Sequence, residues 1–534
     1  MRRLVVAILV FAAICCGSAL PRQRSGGNSV TVKRKQYSAR QLEQLKQAKA
    51  GWASTKYQKV ELTPLQTAWF KSLGAPAVNK SVSLGKYQGY TAAGSTQCFG
   101  PVLTRKEYRQ LTREERRRFH NALNKMKCTF PDPASPVSEY DIFVRMHRCG
   151  EAPGAHFGAG FLPWHREFLW RFESALRTHD CCVALPYWDT TLDQCLPRPA
   201  HSAIWSAEYM GNNDGYVNVG DFARWSVLPE CQNIGQCLRR NALQGANYQY
   251  VYDAGYAPFA GALREAAAAN PTTQTPPSQY LIGDDDIAYV MKKLTYADIT
   301  MDKDAKFETD HGLVHAFVGG HVAHIECAPS DPVYWLLHAF VDKIWEDFRR
   351  KSQMTPRETE YPCTCNGGAA HAPYAPMRPF YPLYNIHGLS NHYTNYYYRY
   401  QRSPYKCTAD EQCCSEALWC DKAQCRCRAK VRLGGDCTGL PNNACAGTCP
   451  GGGRPMCVKS GTCQVCACPS AQPPPPPPPP PPQMPTQMPP YMTPMPRPIP
   501  QVPRGRPSYG MIPWYSRYGR GFQGAYATKR LIRK

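Results

Sequence analysis

The chain predicts a mainly α-helical core of four-helix-bundle type with irregular loops. A small disulfide-rich module and a disordered proline-rich tail follow it. Three observations carry this reading. Long aromatic segments place apolar residues at helical spacing on either side of two groups of histidines. Thirteen cysteines crowd into the 62 residues 407–468, with little aliphatic material. Ten consecutive prolines, Pro473–Pro482, then open a segment too poor in aliphatic residues to build a core.

Taken in order, residues 1–20 have a basic start (Arg2, Arg3), an apolar run and small residues at Gly17–Ala19. This is the secretory signal pattern, too short for a membrane span. Of 26 cysteines, loss of Cys15 and Cys16 with the leader leaves 24, an even number suited to disulfides in an oxidising compartment. Residues 21–101 form a basic extension with a short helical pattern near Tyr37–Lys49. Lys33-Arg34-Lys35 there reads as a processing site or a solvated charge run. Asn79-Lys80-Ser81 is a glycosylation sequon, usable because the chain reads as secreted.

Residues 102–400 have the length and aromatic content of one large domain. In the segment Pro163–Arg177, Trp164, Phe168, Leu169, Phe172 and Leu176 make an apolar stripe. Asp331-Pro332 is an N-cap acid followed by proline at the first helical position. A helix continues from it through Trp335, Ile344 and Phe348. The alanines 266–269 suggest the end of another helix. In the module 407–468 the odd cysteine count leaves one sulfur to pair outside it, with Cys363 or Cys365, or to remain a thiol. Metal chelation by this cluster is the alternative.

The tail, 469–534, reads as a stiff-then-flexible tether. Its tyrosines could also be presented to an oxidising site on the same or another molecule. The formal charge of +23 falls to +21 without Arg2 and Arg3, and the stretch from Gln483 onward carries nine Arg or Lys and no acid. Such a tail suits an acidic matrix or surface. No nucleic-acid motif accompanies it, and no second apolar stretch suggests a membrane partner.

Chemistry concentrates in six of the 14 histidines: His147, His156 and His165, then His311, His315 and His338. His311 and His315, four apart, share one helix face. His338 lies within the Pro332 helix, His165 at the start of the Pro163 helix, and His147 at the end of the apolar stretch Tyr140–Met146. His156 lies in a Gly/Ala-rich loop that permits close approach to a buried centre. Each alone could be a hydrogen-bonded core residue. Two three-imidazole sets without a carboxylate point instead to a binuclear metal centre embedded in helices.

The surrounding motifs resemble the type 3 copper family of tyrosinases, catechol oxidases and molluscan-type haemocyanins. His156-Phe157-Gly158-Ala159-Gly160-Phe161-Leu162-Pro163-Trp164-His165-Arg166-Glu167 is similar to its first copper signature. His311-x-x-x-His315, Gly319-Gly320 and Asp331-Pro332-Val333-Tyr334-Trp335-Leu336-Leu337-His338-Ala339-Phe340-Val341-Asp342 are similar to its second. The resemblance covers roughly residues 100–400. It implies one copper on His147, His156 and His165 and a second on His311, His315 and His338, with His321 and His324 as flanking residues. Asp342 becomes a candidate acceptor for a ligand histidine, or else the partner of Lys343 or Arg349.

Departures from the family pattern matter too. Leu337 replaces the first of a paired His-His, Phe340 a common Asn, and Lys343 a common Arg. Gly312 stands where monophenol-active members carry a water-orienting Asn, leaving Glu308 or Asp310 as the groups that could orient a water. Gly154 replaces the cysteine that some branches join to the second ligand, and Cys149 is expected in a disulfide instead.

The resemblance implies a secreted dicopper oxidase that takes catechols, including peptidyl DOPA, and also tyrosine, to o-quinones with O2. The role expected is cross-linking or pigmentation of an extracellular matrix, as in tyrosinase-like proteins of molluscan shell or byssus. The alternatives are a non-catalytic matrix protein with a copper domain and a haemocyanin-like oxygen binder.

Overall fold

The computed structural model describes residues 62–73, 102–148, 150–241, 280–300, 306–362 and 368–469. The leader, the Tyr37–Lys49 helix, Lys33–Lys35, Asn79, Cys149, the alanines 266–269, Cys363, Cys365 and the whole proline-rich tail lie outside these residues. Eight α-helices are described: α1 Pro64–Ser72, α2 Arg113–Cys128, α3 Glu139–Met146, α4 Phe161–His179, α5 Asp284–Met291, α6 Tyr296–Thr300, α7 Lys306–Val318 and α8 Pro332–Lys351. The strands are short and pair only in twos. No described helix is long and apolar enough to cross a membrane.

Helix starts follow local chemistry. Thr112 and Glu115 close a capping box at α2, satisfying two orphan backbone donors. Asp331 accepts from Val333 N at 3.0 Å and Pro332 begins α8, as its sequence predicts. Helix α4 starts two residues before the expected Pro163 and runs on to His179. Its apolar stripe enters an aromatic core where Phe172 stacks on Trp335 of α8 with centroids 3.5 Å apart, and Phe143 of α3 meets both Phe172 and Trp335 edge-on. Thus α3, α4, α7 and α8, with the loop joining α3 to α4, bring the histidines around one centre.

The domain's two ends meet behind this core. Strand β1, Leu103–Arg105, pairs in parallel with Tyr398–Tyr400, aligning Arg105 with Tyr400. Fully buried Arg105 binds Glu173 of α4 at 2.7 Å, and its guanidinium lies 3.4 Å from the Tyr398 ring centroid. Arg166 of α4 reaches Asp342 at 2.7 Å and Glu346 at 3.0 Å, both on α8. Buried charges of this kind persist only when paired and hydrogen-bonded, and here every carboxylate meets a guanidinium.

The module 407–468 contains two antiparallel hairpins, Leu418–Asp421 with Arg426–Ala429 and Met456–Ser460 with Cys463–Ala467. Five disulfides staple it: Cys407–Cys420, Cys413–Cys427, Cys437–Cys457, Cys445–Cys466 and Cys449–Cys468. These pairings use ten of the thirteen cysteines. Cys414, Cys425 and Cys463, rather than one sulfur, stand outside them, because strand pairing and not the cysteine count decides which sulfurs face each other. The triplets close enough to suggest chelation, Cys407/Cys413/Cys427 and Cys437/Cys445/Cys466, are all disulfide sulfurs and are not available as thiolates. The module packs on the helical domain: Arg426 binds Thr191 Oγ1 at 3.0 Å and Asp284, while Leu192 and Leu196 join its small core.

Candidate dicopper site

His147 caps the C-terminus of α3, His165 lies in the first turns of α4, and His156 sits in the loop between them. His311 and His315 occupy successive turns of α7, and His338 the middle of α8. All six are buried, at most 3 % exposed. Their ligand atoms gather in two triplets, His147/His156/His165 and His311/His315/His338, each within 4.8 Å. The triplets adjoin: the His165 and His338 rings stack 4.4 Å apart. Phe161 packs on both His165 and His311.

Backbone carbonyls orient the rings. Nδ1–H donates from His147 to Ile325 O (2.7 Å), from His165 to Phe161 O (2.9 Å), from His311 to Glu308 O (3.1 Å) and from His315 to Val322 O (2.8 Å). A carbonyl only accepts, so each of these Nδ1 atoms carries the proton and each Nε2 presents a lone pair. Buried Nε2 atoms of His147 and His165 have no hydrogen-bond partner among the described residues. In the second triplet the Nε2 atoms of His311 and His315 lie 2.7 Å apart, and each is 3.1 Å from Nε2 of His338. Lone pairs so close repel unless a cation lies among them. Burial also favours the neutral ring, holding His165 at about 3 and His315 at about 4, with the other four well below the ordinary histidine value. Six neutral imidazoles without a carboxylate suit copper in both oxidation states better than a hydrolytic zinc pair.

Other anticipated residues take different places. Asp342 does not meet a histidine. Its carboxylate accepts from Arg166 Nε, Tyr398 OH and Tyr400 OH, each at 2.7 Å. Nor does it pair with Lys343 or Arg349, which bind Asp347 and Glu346 instead. The physical reason is competition: Asp342 sits one turn beyond His338 on α8, and Arg166 of α4 with Tyr398 and Tyr400 of the closing strand takes up its carboxylate. Glu308 accepts from the backbone N of Phe157, whose φ of 65° is unusual for a bulky residue. It therefore ties the His156 loop to α7 while its own carbonyl orients His311. Asp310 is bound by Lys306, which also reaches Asp286 at 2.8 Å. Gly312 is buried on α7. His321 bonds the Arg239 backbone, and neither it nor His324 enters a triplet.

Sequence reasoning missed the carbonyl acceptors, because a backbone oxygen carries no residue signature. It also missed Arg166 as the link between His165 and Asp342. The arginine following the third histidine was a visible signal, but its partners come from α8.

Two mutually adjoining three-histidine sets, held by four helices and oriented by carbonyls, define a centre positioned for a type 3 copper pair. Residues 137–351 match the model of the common central domain of tyrosinase. The chain is 34% identical over 383 residues to a tyrosinase-like protein of Caenorhabditis elegans, covering 70% of this chain and 49% of that one. With a tyrosinase-like protein of Pinctada maxima it shares 31% identity over 271 residues, covering 48% of this chain and 53% of that one. With the tyrosinase of Streptomyces antibioticus it shares 32% over 271 residues, covering 48% of this chain and 86% of the bacterial enzyme. The chain belongs to the tyrosinase family of type 3 copper proteins. It spans about half the length of the Caenorhabditis elegans and Pinctada maxima relatives.

Proposed function

We propose that this chain is a secreted copper-dependent phenol oxidase that converts catechols, including peptidyl DOPA, to o-quinones with O2. Its role would be cross-linking or pigmentation of an extracellular matrix. The observation that carries this reading is the pair of histidine triplets, four of whose rings have Nδ1 bonded to a carbonyl and so present an Nε2 lone pair. His147, His156 and His165 would hold one copper, and His311, His315 and His338 the other. Bound there, the pair supplies electron exchange between a phenolic substrate and dioxygen. The chain's own contribution is to fix ring orientation through the four carbonyls, keep the imidazoles neutral and exclude bulk water from a centre at most 3 % exposed.

Proton handling favours catechols over monophenols. Gly312 offers no side chain to orient a water, the Glu308 carboxylate is engaged by Phe157 N, and Asp310 is engaged by Lys306. The leader pattern and Asn79 support secretion and glycosylation, and the basic tail supports retention by an acidic matrix.

The test is oxygen uptake by the copper-loaded protein with a soluble catechol and the matching monophenol, each repeated with His338→Ala to exclude free copper. Uptake with catechol alone is expected. Uptake with both makes the chain a hydroxylase as well. No uptake with either, at two coppers per chain, sinks the oxidase reading in favour of an oxygen binder or a matrix protein.

A further inference from the structure

The start of α2 and the first hairpin region of the cysteine-rich module line an open cleft of about 460 Å³. Tyr209, Leu111 and Leu418 give it aromatic and apolar surface, Cys414 adds a thiol, and its five lysine and arginine side chains, Arg116 and Lys430 among them, outnumber the acids Asp410, Glu411 and Glu416. Arg116 is only 7% exposed, with its guanidinium 4.3 Å from the Tyr209 ring centroid. Its hydrogen bonds run to the backbone oxygens of Glu208 (3.0 Å) and Leu111 (3.3 Å) and to no carboxylate among the described residues, Asp221 acting on it only at longer range. A buried cation with no carboxylate in direct contact suits a ligand that brings negative charge or carbonyl oxygens.

Lys430 stands at the same wall, which it shares with a second cavity of about 210 Å³. Burial pushes its ammonium pKa down against the pull of Asp410, and Arg454 adds to the lowering. Cys414 is an exposed thiol held in the left-handed region (φ 49°) beside the Cys413–Cys427 disulfide. Its Sγ rests against the carbonyls of Glu411 and Gln412 at 3.5 and 3.7 Å.

We propose that this cleft captures small o-quinones, with Cys414 Sγ forming a thioether to the quinone ring. The ring lies on the Tyr209, Leu111 and Leu418 surface, and its two oxygens face Arg116 and Lys430. Sulfur adds to a ring carbon; the S–H bond breaks and an S–C bond forms. The thiol proton goes to one quinone oxygen, and the proton released as that ring carbon rearomatises goes to the other. The quinone becomes a protein-bound catechol, with sulfur's electron pair supplying the reduction, so no outside oxidant or reductant is needed. The two cations stabilise negative charge as it develops on the oxygens. The proposal rests on the phenol-oxidase reading only for the natural source of the quinone.

The experiment supplies purified 4-methyl-o-benzoquinone, in limiting amount, to the full secreted chain and maps adducts by peptide mass spectrometry. Iodoacetamide, small and neutral, is run in parallel. Cys128 and Cys195 are exposed thiols that do not line this cavity and serve as internal comparators. Cys414 is expected to take the quinone about tenfold faster than either, the preference given by roughly 1.4 kcal/mol of recognition. Iodoacetamide should show a smaller preference, and Lys430→Gln should slow only the quinone reaction at Cys414. Comparable quinone labelling of the three thiols overturns the proposal, as does no adduct at Cys414 or an equal preference with iodoacetamide. A second arm gives catechol and O2 to the copper-loaded chain. If quinone labels Cys414 there only when supplied ready-made, the oxidase reading fails and the capture site stands.

Discussion

Replacing Asp342 by Asn tests whether the charge cluster behind His165 holds the copper helices together. The carboxylate takes three 2.7 Å hydrogen bonds, from Arg166, Tyr398 and Tyr400, and Arg105 lies 3.6 Å away. All these groups are buried or nearly so, and Asp342 itself is 3% exposed. Arg166 keeps Glu346 at 3.0 Å and Arg105 keeps Glu173 at 2.7 Å, so neither guanidinium is orphaned. Breaking a buried pair costs about 3–5 kcal/mol when a charge is stranded, and the retained partners put the expectation for Asp342→Asn at the low end, about 3 kcal/mol. Urea unfolding followed by tryptophan fluorescence measures this directly. Combining it with Tyr398→Phe should give a coupling of about 1 kcal/mol, since the two share one hydrogen bond. A loss below about 1 kcal/mol, or strict additivity with Tyr398→Phe, would refute the view that Asp342 is the hub joining α4, α8 and the closing strand.

Other outcomes follow from the same geometry. Glu346 is 6% exposed, and although burial would raise its pKa, Arg166 and Arg349 hold it down at about 2. A depressed carboxylate stabilises the fold above its unfolded pKa, and that contribution is lost as pH falls through the folded value. Its share, about 3 kcal/mol, should therefore disappear between roughly pH 5 and pH 2. The stability gap between wild type and Glu346→Gln is expected to close over that interval; a constant gap would contradict it. The Cys231–Cys327 disulfide closes a separation of 96 residues, two positions beyond the carbonyl that orients His147. Cys231→Ser with Cys327→Ser should cost up to about 4–5 kcal/mol and weaken retention of one copper against a chelator. Unchanged metal retention would show that Ile325 is positioned without it. His315→Ala should lower bound copper from two to one per chain by elemental analysis, whereas loss of both, or of neither, would separate the centre from the two-triplet arrangement.

Features set by near neighbours in the chain were legible from residues alone. The Asp331-Pro332 start of α8, the α4 apolar stripe and the shared face of His311 and His315 follow from helical periodicity and capping, which act over a few residues. Likewise, cysteine density required a stapled module, because so little aliphatic material cannot form a core. Tertiary structure decided what depends on distant segments meeting. His147 is oriented by a carbonyl 178 residues away, and Asp342 is claimed by tyrosines 56 and 58 residues later rather than by a histidine. Glu308 was legible as an acid near the second triplet, but its commitment to Phe157 N depends on α7 lying against the His156 loop. Disulfide partners, and the cleft that places Cys414 beside Arg116 and Lys430, depend likewise on strand pairing and on the module docking against α2. Sequence carries local preferences and ligand chemistry; only packing fixes which oxygen, sulfur or charge each side chain finally faces.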